Sequence, residues 1–114
     1  MKIIFIDTET TGLNSQKHDI IQLAGLVVED GKVIDSFNYK CQPVNWTDIS
    51  PQALQVNNTT YEQLHSYETP KESFVKFLVF ISTYRRNLVI MTFHFFGYGD
   101  NLVLVNNRCF LLLW

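Results

Sequence analysis

The sequence predicts an α/β layer fold built on a mixed sheet, and three observations predict it. Residues 3–6 form an uninterrupted apolar run, the pattern of a strand buried on both faces. Two further apolar stretches meet at Asp30-Gly31, a strong turn signal between antiparallel strands. Thr69-Pro70-Lys71-Glu72 then opens a long helix whose apolar residues recur at helical spacing. Strand, hairpin, helices and a final strand, in that order, pack helices against one sheet.

The first strand is expected over residues 2–7. Residues 8–19 are polar and include Gly12 and Asn14, so they read as a loop. A second strand over 20–29 returns through the Asp30-Gly31 turn as a third strand over 32–42. Pro43 and Pro51 bracket an irregular stretch, in which Ser50-Pro51 opens a short helix reaching Leu54. Residues 60–65 supply another helical turn. In the long helix Thr69 caps, Pro70 takes the first position and Glu72 closes a capping box. Phe74, Phe77, Leu78, Ile81 and Tyr84 follow as the stripe expected to face the core. Residues 88–96 read as the last strand.

A chain of 114 residues holds one small domain with a real core, assigned here to residues 1–114. Formal net charge is −2, which argues against a broad basic face for nucleic acid. It leaves room for an enzyme that meets phosphates through bound cations. Cys41 and Cys109 are far apart and neither has zinc-ligand spacing, so reduced thiols in a cytoplasmic protein are expected. No apolar run approaches membrane-spanning length, so no membrane association is expected.

The chemistry concentrates at Asp7 and Glu9. Residues two apart in an extended chain point the same way, so both carboxylates project from one side. They do so at the carboxyl end of a central strand, the edge where open α/β sheets bind ligands. Two carboxylates held close repel unless a proton or a cation intervenes. Oxygen-only ligands of this kind favour Mg²⁺ or Mn²⁺. Taken alone, a D-x-E spacing is more often a solvated strand end, and Thr10 to Leu13 an ordinary turn with a core-facing leucine.

The full run Ile3-Ile4-Phe5-Ile6-Asp7-Thr8-Glu9-Thr10-Thr11-Gly12-Leu13 resembles the first motif of the DnaQ-like (DEDD) 3′–5′ exonucleases. That family includes polymerase proofreading domains and ribonuclease T. Weaker similarity runs through the Asp30-Gly31 hairpin and Ile49-Ser50-Pro51-Gln52-Ala53-Leu54, and fades after about residue 100. The resemblance implies a ribonuclease H-like mixed sheet, with an antiparallel hairpin and flanking helices. It also implies two-metal hydrolysis of phosphodiester bonds at nucleic-acid 3′ ends. Asp7 and Glu9 would be the catalytic metal ligands, with Mg²⁺ or Mn²⁺ as cofactor. Thr10, Thr11 and Gly12 would approach the terminal nucleotide through their backbone, and Leu13 would pack on its base or sugar. The implied partners are single-stranded DNA or RNA 3′ ends, with a homodimer or a polymerase as further partners.

The sequence departs from the family pattern later. The second family motif has roughly the form Gly-His-Asn-x-x-Phe-Asp, where this chain reads Phe95-Phe96-Gly97-Tyr98-Gly99-Asp100-Asn101-Leu102-Val103. A gap-free match puts Val103 in place of the aspartate, and leaves Asp100 as a metal-ligand candidate three residues earlier. The third motif has a His or Tyr base followed by Asp. His94 and Asp100 are one residue too far apart for it, and His94 reads as a structural residue in a strand. His18 and His65 read as loop and helix-end residues. Residues 1–86 hold 18 of the 20 charged side chains (10 acidic, 8 basic), leaving Asp100 and Arg108 for the rest. The fold is therefore expected to be incomplete, with a frameshift after Tyr84 as the hypothesis. Two other readings stand beside the exonuclease: an inactive remnant that binds metal or nucleic acid only, and a haloacid-dehalogenase-like phosphohydrolase. The latter calls for Asp where Glu9 stands.

Overall fold

A computed structural model describes residues 1–84 and 88–93. The elements are β1 (Lys2–Thr10), β2 (Ile20–Glu29), β3 (Lys32–Lys40), α1 (Pro51–Val56), α2 (Tyr61–Ser66), α3 (Pro70–Ser82) and β4 (Leu88–Phe93). The four strands form one mixed sheet in the order β3-β2-β1-β4. β1 is thus an interior strand, antiparallel to β2 and parallel to β4. A parallel neighbour requires a crossover, and the helices between β3 and β4 supply it.

The hairpin forms as expected. Glu29 pairs with Lys32 across the two-residue turn. Asp30 at φ 51° and Gly31 at φ 77° supply the two left-handed residues that such a turn demands. The helix starts also follow local chemistry. The Thr69 hydroxyl accepts from the Glu72 amide, while the Glu72 carboxylate accepts from the Thr69 amide at 2.8 Å. Thr60 and Gln63 build the same reciprocal cap on α2, and Ser50 caps α1 through the Ala53 amide.

Two expectations are corrected. The first strand does not end at Asp7, because pairing with β2 continues through Thr8↔Leu23, Glu9↔Gln22 and, past a bulge, Thr10↔Ile20. Both acids therefore stand on the strand itself. The face that α3 buries is also rotated from the expected stripe. Ser73, Phe77 and Ile81 are buried, with Phe80 and Tyr84 partly covered, whereas Phe74 and Leu78 remain 41% and 43% exposed. Long-range contacts set that rotation. The Ser73 hydroxyl donates to the Lys40 carbonyl at 3.2 Å, and the Phe37 ring meets Phe77 and Phe80 at 5.4 and 4.9 Å.

The main core joins Ile4, Ile6, Val27 and Phe37 of the sheet to Phe77 and Ile81 of α3. Ile4 and Ile6 are fully or nearly buried there, while Ile3 and Phe5, one residue out of phase, are half-buried on the opposite face. A second cluster, Ile21, Leu54 and Leu64, fixes α1 and α2 beside the start of β2. The described part of the last strand agrees with its expected start. Residues 94–96, Asp100, His94, Val103 and the rest of the tail lie outside the described residues.

Candidate active site

Asp7 and Glu9 leave β1 on the face opposite α3, since Ile4 and Ile6 alternate into the core. Asp7 is exposed, and its Oδ1 accepts from the Thr8 amide at 2.9 Å. Glu9 is half-buried. Burial first, and then the neighbouring Asp7 charge, raise its carboxyl above the ordinary glutamate value. The two acids are thus electrostatically coupled, as the strand alternation requires. Asp7 also lines a depression of about 350 Å³ with Phe5, Ala24, Leu26, Ser36 and Asn38. That surface crosses β1, β2 and β3 on the acid-bearing side.

The chain after Glu9 is held by a dense set of hydrogen bonds. The Thr10 hydroxyl donates to the Gly12 carbonyl at 2.8 Å, and the Thr10 carbonyl accepts from Asn57 Nδ2 at 2.9 Å. Thr11 is fully buried. Its amide donates to the Asp19 carbonyl, its hydroxyl accepts from the Asp19 amide, and its carbonyl accepts from the Ser50 amide. The Thr11 side chain therefore serves the loop's own structure. Leu13 is 79% exposed, so the core-facing leucine of an ordinary turn, the alternative to a residue that packs on a base or sugar, is not what forms.

Asn57 was not singled out from the sequence. It ends α1 and reaches Thr10 across 47 positions, a contact that no local pattern announces. A second latch joins the 11–19 loop to the stretch before α1. The Asp19 carboxylate accepts from the Asn45 amide at 2.6 Å, and Asn45 Nδ2 donates to the Lys17 carbonyl at 3.0 Å. Among the described residues no group of three or more His, Cys, Asp or Glu side chains is placed to hold a metal. Asp7 and Glu9 stand as a pair, and Asp100 lies outside the described residues.

A family model described as Exonuclease matches residues 4–109. The chain belongs to the DnaQ-like exonuclease family. Relatives of this exonuclease-family chain include the PolC-type DNA polymerase III of Thermotoga petrophila, 28% identical over 78 residues. That match covers 68% of this chain and 6% of the polymerase. The Pediococcus pentosaceus PolC-type polymerase is 32% identical over 79 residues, covering 69% and 5% respectively. The chain thus spans a small fraction of these relatives' length. Its fold matches the nuclease domain of 3′hExo, a DEDDh family member bound to rAMP, with TM-score 0.70 and 18% identity. This alignment covers 82% of the present chain and 52% of that one. Exonuclease X in complex with 5′ overhanging duplex DNA gives TM-score 0.56 and 27% identity, covering 66% and 42%. The ribonuclease H-like architecture is therefore that of the family, and haloacid-dehalogenase chemistry is set aside.

Proposed function

We propose that this chain acts as a 3′–5′ exonuclease, hydrolysing phosphodiester bonds at single-stranded DNA or RNA 3′ ends with Mg²⁺ or Mn²⁺. The observation that carries the reading is the pair Asp7 and Glu9 on one face of an interior strand, followed by exposed Leu13. The donor set fits a hard divalent cation, because both ligands are carboxylate oxygens. Burial first, and then the Asp7 charge, raise the Glu9 carboxyl, and a cation between the acids would relieve the second of these causes. When bound, such cations polarise the scissile phosphate, lower the pKa of a water and stabilise the leaving oxygen. Asp7 and Glu9 would hold them, with Asp100 as a further candidate ligand. The backbone of Thr10, Thr11 and Gly12 would bring the chain against the terminal nucleotide. Leu13 would cover its base or sugar and exclude water from that side.

A second reading, binding of metal or nucleic acid without turnover, is favoured by one observation. No third acid joins Asp7 and Glu9 among the described residues. A 5′-labelled single strand incubated with the pure chain and Mn²⁺ separates the two. Stepwise loss of 3′ nucleotides, abolished by Asp7→Ala, supports the exonuclease. Retention of the strand without shortening supports the binding module. The polymerase relatives suggest work beside a polymerase, and a homodimer is the competing assembly; light scattering with and without a polymerase distinguishes them.

A further inference from the structure

We propose that His18 is a positioning residue, which sets the shape of the 10–13 segment that meets the terminal nucleotide. The proposal deepens the exonuclease reading and rests on it. Three atoms of the His18 ring, Cε1, Nδ1 and Nε2, lie 2.3, 2.4 and 2.6 Å from where a Cβ on Gly12 would stand. Among the described residues the only glycine with positive φ is Gly31, so Gly12 is not required for its backbone angles. What demands a glycine there is room for the imidazole.

The ring is held in that place from its other side. Nδ1 accepts from the Asn14 amide at 2.8 Å, and the His18 amide donates to the Asn14 carbonyl at 2.8 Å. An acceptor at Nδ1 exists in the tautomer that carries its proton on Nε2. The Asn14 amide belongs to the peptide plane that directly follows Leu13. Fixing that plane fixes where Leu13 is carried. Leu13 is 79% exposed, so backbone direction, and not packing, decides where its side chain points. His18 thus acts at two points of the same short segment, filling the space over Gly12 and orienting the peptide after Leu13. Thr10, which donates to the Gly12 carbonyl, ties the segment back to the strand that bears Glu9.

Steady-state hydrolysis of a labelled single-stranded oligonucleotide with Mn²⁺ tests the proposal on the full chain. His18→Ala should raise KM roughly tenfold and leave kcat within about twofold, the signature of lost ground-state positioning. His18→Asn places an acceptor oxygen near the position of Nδ1 and should restore most of the KM. His18→Phe keeps the ring without the acceptor and should not. Gly12→Ala should raise KM by itself and add nothing in the His18→Ala background, because its Cβ then meets no ring. Circular dichroism melting of each variant reports folding, and His18→Asn with Gly12→Ala decides the matter if His18→Ala does not fold. Unchanged KM in a folded His18 variant, or additive effects of Gly12→Ala and His18→Ala, overturns the proposal while the exonuclease reading stands. Wild-type protein that does not shorten the strand overturns both.

Discussion

Replacing Glu9 by Gln should stabilise the metal-free protein and blunt its response to Mn²⁺, two opposite effects from one substitution. Alternation on β1 separates the Asp7 and Glu9 Cα atoms by about 6.6 Å. At that distance two unit charges repel by about 0.6 kcal/mol in a water-like dielectric, and 0.1 M salt halves it. Burial of Glu9 adds to the cost of its charge, which is why its carboxyl is raised. Glu9 remains partly solvated, so a net gain of about 0.5 kcal/mol is expected for Glu9→Gln at neutral pH, or about 2–4 °C in Tm. A raised carboxyl favours the folded state while protonated. Wild type and variant should therefore melt alike in acid, with the wild type falling behind as pH rises through the Glu9 transition. Mn²⁺ reverses the order. At ten times its Kd a bound cation adds about 1.4 kcal/mol to the wild type, roughly 6–11 °C. The variant, with one charged ligand fewer, should gain much less. Differential scanning fluorimetry from acid to neutral pH, with and without Mn²⁺, measures both effects. An equal Mn²⁺ shift in wild type and variant would falsify the two-acid site.

Gly25→Ala should be strongly destabilising, by about 2 kcal/mol or more in urea unfolding, because a Cβ there stands 2.3 Å from the Phe5 carbonyl oxygen. The backbone of β1 cannot yield without disturbing the strand that carries both acids. Phe77→Ala empties the middle of the core, where Phe77 is fully buried. It should cost about 3–5 kcal/mol and unfold much of the population at 37 °C, visible by circular dichroism. Burial, followed by the charges of Asp19 and Glu68, pushes the Cys41 thiol up to about 11. In a Cys109→Ser background, iodoacetamide at pH 8 should therefore modify folded protein far more slowly than glutathione, and denaturant should abolish the difference.

The sequence by itself determined those features whose causes lie within a few residues of one another. Asp30-Gly31 set the hairpin, since a two-residue turn needs left-handed backbone at both positions. Thr69 and Glu72 set the start of α3 through bonds three residues apart. Alternation on one strand put Asp7 and Glu9 on a common face, and their coupling follows from that. The motif around them was enough to name the family.

Tertiary structure decided whatever depends on partners distant in sequence. Periodicity marked α3 as amphipathic but not which edge of its wide apolar stripe faces inward. The Ser73–Lys40 bond and the Phe37 contacts chose Ser73, Phe77 and Ile81 over Phe74 and Leu78. The polar composition of residues 8–10 reads locally as loop. Backbone pairing with β2 makes them strand, because ladder bonds are indifferent to side-chain polarity. Thr10 is tied to Asn57 from 47 residues away. Such contacts form only once the chain has closed its long loops. No window of local sequence carries them.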